Sequence, residues 1–212
     1  MRFWGVSFTG GVGFTAVLVG ALIRDRLWYA RCMFIDCVEC GSRFEAAGGR
    51  GRSPRFCGAT CRKRASRRRA GAKRVFVEHV GDRWVRARGK EPFQPSGRRA
   101  SSTDSGTWSS FGDVQSGFGD GLGLMCGGGV ACLDLDNAVE GGRLKSWARE
   151  AVDALAFPVL FVELSMSGRG VHVFVEAPEG RGSSRAVGDG RVEWFPRGRF
   201  IRVTFQEFDL RG

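Results

Sequence analysis

Short apolar runs recur from residue 75 to the end of the chain, and most of them alternate with polar residues or are bounded by glycine. This two-residue period and the short run lengths predict strands rather than helices. The predicted strands are 75–90 as a hairpin that turns near Gly81 and Asp82, 122–136 as two strands around a glycine turn, 159–165, 171–177, and 192–195 with 199–205 as a last hairpin.

Two segments depart from this strand period. Residues 141–156 place apolar side chains at helical spacing and predict a helix. Residues 91–121 are rich in Pro, Ser, Gly and Thr, which predicts a long loop with one short helix between Trp108 and Val114. Strands with one or two helices on one side indicate an α+β sheet domain rather than a doubly wound fold.

The charge of the chain narrows the class of partner. Its 212 residues include 33 basic and 22 acidic side chains, a formal net charge of +11. A charge of this sign favours polyanions such as nucleic acid, or an anionic membrane surface. Residues 62–74 carry eight basic side chains in 13 positions and predict a helix or a solvated linker.

Four of the seven cysteines form a spaced set: Cys37 and Cys40, then, after sixteen residues, Cys57 and Cys61. The first pair fits a tight turn, and the second pair falls at the start of a predicted helix. Four thiolates suit tetrahedral zinc, and this spacing favours metal binding in a reducing compartment over disulfides. An iron cluster and four unrelated cysteines are the alternatives.

The segment around these cysteines resembles small zinc-ribbon or treble-clef modules. That resemblance implies a structural zinc ion and a helix whose basic face contacts phosphate. The basic residues of that face are Arg62, Arg67, Arg68 and Arg69. The alternative is a purely structural zinc site with a solubilising basic tail.

The N-terminal segment leaves three interpretations open. Residues 3–23 contain no charged side chain over 21 positions, which is long enough to span a bilayer. The segment is a membrane anchor, a signal peptide, or an extension upstream of a true start at Met33. We favour the start at Met33, four residues before the first spaced cysteine, and expect no membrane association.

Two aspartates end the apolar run VACLDLD. In a strand, Asp134 and Asp136 point to the same face as Val130 and Cys132, while the leucines between them point to the other. Burying two unpaired carboxylates one pleat apart is costly. Paired carboxylates at a strand end are suited to hold Mg²⁺ or Mn²⁺, although such a pair alone also occurs by chance.

The segment ELSMSGRGVH supplies a second candidate site. A strand enters a turn rich in serine and glycine and leaves through His172, one of only two histidines. Glycines allow close approach to phosphate, and serine hydroxyls and backbone N–H groups can bind it. The phosphate-binding candidates of this turn are Ser165, Ser167, Gly168 and Arg169. Farther on, Glu193 adds a third strand carboxylate.

Together these motifs resemble the archaeo-eukaryotic primase superfamily, in particular the phage and plasmid bifunctional primase–polymerase domain. The resemblance rests on LDLDN, SGRGVH and VEWFPRGRFIRVT in this order, with KEPF and GLGLMCGG before them, and covers about residues 80–205. Met166 stands where the family turn usually has proline, and Trp-Phe replaces the more usual Ile-Tyr of the third motif. Neither departure removes a ligand.

The resemblance implies a primase–polymerase domain with an RRM-like sheet and a template-directed nucleotidyltransferase activity. Asp134, Asp136 and Glu193 match the carboxylates of a two-metal Mg²⁺ or Mn²⁺ site. His172, Ser167 and Arg169 match nucleotide-phosphate contacts. Lys90 and Arg199 match basic positions of the nucleotide site.

We therefore expect four segments: an N-terminal extension (1–33), a zinc module (34–62), a basic helix or linker (63–74) and a catalytic domain (75–212). The expected partners are a single-stranded DNA template, nucleoside triphosphates and a separate helicase, in phage or mobile-element replication in a bacterial cytoplasm. The alternative is a non-catalytic, zinc-containing DNA-binding protein with a decayed primase fold. A replication-initiator nuclease would need a tyrosine nucleophile, and the only tyrosine is Tyr29.

Overall fold

A computed structural model describes residues 33–46 and 53–210 of the chain. The strands are β1 (Met33–Asp36), β2 (Arg43–Ala46), β3 (Trp84–Arg88), β4 (Glu91–Phe93), β5 (Gly121–Met125), β6 (Val130–Asp136), β7 (Val139–Glu140), β8 (Arg143–Leu144), β9 (Val159–Leu164), β10 (Val171–Glu176), β11 (Ser183–Val187), β12 (Gly190–Phe195) and β13 (Phe200–Val203). The helices are α1 (Ala59–Val80) and α2 (Ser146–Asp153).

Two antiparallel sheets form the body of the molecule, so the α+β prediction is confirmed. The larger sheet has the order β11–β12–β6–β10–β9, with β6 in its centre. The smaller has the order β13–β5–β3–β4. The predicted strands at 122–136, 159–165 and 171–177 are present, whereas β4 and the edge strand β11 were not expected.

The predicted hairpin of 192–195 with 199–205 is wrong. β12 pairs with β6 in the larger sheet, and β13 pairs with β5 in the smaller one. The chain therefore crosses from one sheet to the other between Phe195 and Phe200. Adjacent strands in sequence usually pair, but here the core contacts of each strand place it in a different sheet.

The first strand of the predicted 75–90 hairpin is also wrong. Residues 75–80 are the end of α1, which stops at Gly81, where φ is 63°. Phe76 and Val80 are buried, while Val75 is exposed. Glu78, midway between the two buried side chains, is exposed, so burial recurs every four residues as in a helix and not every two as in a strand. The alternating sequence pattern of this short segment concealed that spacing. α1 runs through both predicted boundaries at 62/63 and 74/75.

Helix α2 is shorter than the predicted 141–156, because residues 139–144 form the small β7–β8 hairpin. Its buried Ala148 and Val152 pack on one face of the larger sheet, beside Leu133 and Leu135 of β6. The predicted short helix at 108–114 is replaced by two 3₁₀ turns, Ser105–Thr107 and Asp113–Gln115.

The other face of the larger sheet packs against α1 and the smaller sheet. Phe76 of α1 lies among Phe161 and Phe174, with ring centroids 5.0 and 4.8 Å away. Trp84 and Leu124 of the smaller sheet belong to the same core. This is the face that carries Asp134, so the pair of aspartates lies where the two sheets separate.

In the described part of the chain, no helix is long and apolar enough to cross a membrane. The apolar segment 3–23 and its three interpretations lie outside the described residues.

Candidate active site

One row of polar side chains crosses the larger sheet. In the strand register, Asp134 of β6 is paired with Glu193 of β12 on one side and with His172 of β10 on the other. His172 is in turn paired with Glu163 of β9. Residues paired across antiparallel strands project from the same face, so three separate sequence motifs and one unexpected residue lie in line.

Asp134 lies near the middle of the row and is largely buried. Its side chain is 18% exposed. Within the described residues, its buried Oδ1 has no hydrogen-bond partner. Burial raises the pKa of Asp134, and the charges of Asp136 and Glu193 add to this effect against the opposing His172. A buried carboxylate oxygen without a donor is costly, and a cation ligated there would remove that cost.

His172 is 8% exposed and lies between two carboxylates. Its Nδ1 is 3.0 Å from Glu163 Oε1, and its Nε2 is 3.8 Å from Asp134 Oδ1. Burial disfavours the charged ring, but the hydrogen bond with Glu163 and the charge of Asp134 outweigh it and raise the pKa of His172.

A cavity of about 470 Å³ opens in front of this row, between the two sheets. Its lining includes most of the predicted site residues, namely Lys90, Asp134, Asp136, Ser165, Ser167, His172 and Arg199. The cavity was not predictable as a whole, because Ser102, Phe200 and Arg202 also line it from the opposite wall. Asp134 and Asp136 thus face a wall that carries Lys90, Arg199 and Arg202. Arg202 is already paired with Asp120 at 2.6 Å, so Lys90 and Arg199 are the basic groups suited to a metal-bound polyphosphate.

The turn between β9 and β10 is built by its own polar groups. Ser165 Oγ accepts a hydrogen bond from the Gly170 N–H at 3.1 Å and lies 3.1 Å from Ser167 Oγ. A Cβ on Gly170 would lie 2.9 Å from the Leu135 carbonyl oxygen, so glycine is required there. Gly168 has a φ of 69°, which also favours glycine. The turn therefore presents two hydroxyls to the cavity in a fixed arrangement.

Three predicted residues do not line the cavity: Glu193, Gly168 and Arg169. Glu193 Oε1 instead accepts a hydrogen bond from Ser184 Oγ at 2.9 Å. The three carboxylates do not converge as the thiols do. Among the described residues, the four cysteines are the one group of three or more potential ligands that comes together. The metal-binding roles of Asp134, Asp136 and Glu193 stay a prediction.

Glu163 is the functional candidate that the sequence analysis missed. It is fully buried and contacts His172 directly. An isolated glutamate in a strand pattern carries no signal of its own. The register of the β9–β10 hairpin would have identified it. If Leu164 pairs with Val171 across the six-residue turn, then Glu163 must pair with His172.

The four spaced cysteines form a second site at the start of α1. All four Sγ atoms lie within 4.8 Å of one another. Cys57 Sγ is 3.7 Å from Cys40 Sγ and 3.5 Å from Cys61 Sγ. Tetrahedral zinc–thiolate bonds of about 2.3 Å imply sulfur separations of about 3.8 Å, so the spacing fits zinc. The predicted clustering of the four cysteines is confirmed.

The electrostatics of the cluster also fit a cation. Burial opposes a thiolate at Cys37, but backbone N–H groups, those of Cys57 and Cys40 foremost, outweigh it and lower its pKa to about 6. The neighbouring thiols, Cys57 first, raise the pKa of Cys61 to about 12. A divalent cation would replace the thiol protons and stabilise all four thiolates together.

The basic residues of α1 differ in their surroundings. Arg62 and Arg67 are exposed. Arg68 forms an ion pair with Glu39 at 3.4 Å, and Arg69 forms one with Glu207, also at 3.4 Å. The last two guanidinium groups thus connect α1 to the β1–β2 module and to the C-terminal segment that runs beside β9. Contact of these arginines with nucleic acid stays a prediction.

The sequence of residues 63–212 matches the family "Bifunctional DNA primase/polymerase, N-terminal" (Prim-Pol). The chain belongs to the Prim-Pol family. The "DNA Primase-polymerase" of Nitratiruptor phage NrS-1 is 31% identical to it over 134 residues, which make up 58% of this chain and 18% of that protein. The chain therefore spans less than a fifth of the length of this relative. The suspected resemblance to primase–polymerases is confirmed.

Proposed function

We propose that this chain is a template-directed nucleotidyltransferase that makes or extends primers. The observation that carries the proposal is the buried Asp134 carboxylate, which has an oxygen without a donor and stands beside His172 at the wall of the cavity between the sheets. Primer synthesis by a Prim-Pol chain would require a polyphosphate site with metal ligands, and the cavity brings the carboxylates of Asp134 and Asp136 together with Lys90 and Arg199.

Asp134 and Asp136 would hold divalent metal, with Glu193 joining from the neighbouring strand. Mg²⁺ and Mn²⁺ favour carboxylate oxygens, and the carboxylates project from one face of adjacent strands. When bound, such ions neutralise polyphosphate charge and favour attack by a 3′-hydroxyl at phosphorus, with release of pyrophosphate. The chain's own contribution is to hold Asp134 largely buried, with the more exposed Asp136 two residues farther along the same face of β6.

The triphosphate of the incoming nucleotide would lie along the β9–β10 turn. Ser165 and Ser167, which line the cavity, would contact its oxygens from the turn. Gly168 and Arg169 do not line the cavity and would contact the triphosphate where it extends past the turn. His172, which also lines the cavity, would contact the phosphates from β10. Lys90 and Arg199, on the opposite wall, would balance the remaining negative charge.

The cysteine cluster would hold a structural zinc ion and support contact with a single-stranded DNA template. Arg62 and Arg67, and Arg68 and Arg69 where their ion pairs open, would bind its phosphates. The setting we propose is phage or mobile-element DNA replication in a bacterial cytoplasm, with a separate helicase as partner.

The test is a primer-synthesis assay on single-stranded templates, with ribonucleotides and deoxyribonucleotides supplied separately. Asp134→Asn should lower incorporation by about 10²–10³-fold or more, because it removes a charge that stabilises the transition state. The control is Glu176→Gln, which neutralises an exposed carboxylate at the far end of β10. Wild-type protein that binds DNA but incorporates no nucleotide would instead favour a non-catalytic DNA-binding protein.

A further inference from the structure

Glu163 is a buried carboxylate without a role in the site proposed above. It lies on β9 with 0% exposure, one strand beyond His172. An ionised carboxyl group in a protein interior is unfavourable unless its oxygens are paired. Its hydrogen bonds therefore indicate why a glutamate occupies this position.

Among the described residues, each hydrogen-bond partner of the Glu163 side chain is a backbone N–H group or a ring nitrogen. The Thr204 N–H donates to Oε1 at 3.1 Å and to Oε2 at 3.0 Å. The Phe205 N–H donates to Oε2 at 2.8 Å. His172 Nδ1 lies 3.0 Å from Oε1. Backbone N–H groups donate to both oxygens, which favours an ionised carboxylate that only accepts. With such a partner the ring donates from Nδ1, and Nε2 faces Asp134.

The same contacts connect the two walls of the cavity. Thr204 and Phe205 directly follow β13, the strand that places Phe200 and Arg202 on the opposite wall. Phe205 has a φ of 53°, an unusual conformation for a residue with a side chain. At this bend the N–H groups of Thr204 and Phe205 both reach Glu163.

We propose that Glu163 is a positioning residue that holds His172 with Nδ1 protonated and Nε2 directed to Asp134 and the cavity. A carboxylate behind an active-site or metal-bound histidine fixes the ring orientation and tautomer in the same way. The catalytic consequence rests on the proposed function. The tautomer of His172 does not depend on the proposed function. The claim about the tautomer and the claim about catalysis can therefore fail separately.

The first test is nitrogen NMR of the wild-type protein, which has only two histidines. His79 lies exposed near the end of α1 and serves as an internal reference. We expect Nδ1 of His172 to be protonated whether or not Nε2 is. A neutral ring with the proton on Nε2 would overturn the proposal. This measurement needs no substitution and no activity.

The second test is a double-substitution cycle on nucleotide incorporation. Glu163→Gln should lower kcat by about 10–100-fold, the usual effect of losing such a partner, with template affinity unchanged. In a His172→Ala background the same substitution should have a much smaller effect, limited to what the lost contacts with Thr204 and Phe205 cause, because the main action of Glu163 is through the ring. An equal loss in both backgrounds would indicate general destabilisation and overturn the proposal. If Glu163→Gln does not fold, the wild-type NMR result decides.

Discussion

The cysteine cluster and the Asp134 row show two ways of assembling a site. The cluster draws its ligands from two short segments, each with its pair of cysteines three or four residues apart. The Asp134 row draws one member from each of four strands, in the spatial order Glu193, Asp134, His172 and Glu163. The thiols converge through local turns, whereas the carboxylates depend on the register of the whole sheet. The first site is thus sensitive to metal and the second to packing.

Helix α1 joins the two regions and belongs to both. Cys61 lies in its first turn, and Phe76 lies four turns later in the core between the sheets. The zinc module is therefore not a tethered appendage. Loss of metal should unfold α1 only in its N-terminal half. The C-terminal half should stay helical, because Phe76 packs against Phe161 and Phe174 in the core between the sheets.

The largest expected effect is on the zinc site. Cys57→Ser with Cys61→Ser should remove zinc completely and unfold β1, β2 and the first turns of α1, since so small a segment has little core. Hydrogen exchange should show lost protection there and retained protection in β10. The control is Cys126→Ala, which replaces a buried cysteine outside the cluster. This variant should bind as much zinc as the wild-type protein.

The same variant should separate two activities. Extension of a pre-annealed primer depends on the Asp134 row and should survive, whereas starting a primer on bare template should fail. A double variant that loses zinc yet starts primers normally would show that template contact lies elsewhere, and would make the cluster purely structural.

The next largest expected effect is on stability, from the aromatic packing beneath the Asp134 row. Phe76→Ala should lower the free energy of unfolding by about 3–5 kcal/mol, because a fully buried ring leaves a cavity. Denaturant unfolding measures this, with Val75→Ala as the matched control on the exposed side of the same turn. Equal effects of the two substitutions would contradict the burial of Phe76 in the core between the sheets.

These two regions also mark how far the sequence could predict the structure. The cluster was predictable because ligand type and spacing are local. Same-face placement of Asp134 and Asp136 followed from the strand period alone. The helical end of α1 was missed because a segment of six residues fits both periods, and the β12–β13 crossover because its cause is long-range packing. Glu163 needed the register of the β9–β10 hairpin.

The smallest expected effect concerns the arginines of α1. Arg67→Ala should lower the slope of log affinity for single-stranded DNA against log salt by about one unit or less if this exposed side chain contacts one phosphate. Arg68→Ala should change it less, because its guanidinium already pairs with Glu39. Arg185→Ala, on the edge strand β11, is the control. Identical slopes for all three variants would exclude the α1 face as the template site.

Manganese binding tests the central claim most directly, because it measures whether the Asp134 row holds divalent metal. The zinc-loaded protein would be titrated with Mn²⁺ in the presence of a nucleoside triphosphate and followed by electron paramagnetic resonance. We predict that Asp134→Asn weakens Mn²⁺ binding at least about tenfold, whereas Glu176→Gln, on the same sheet, leaves it unchanged. Wild-type affinity in Asp134→Asn would contradict the account.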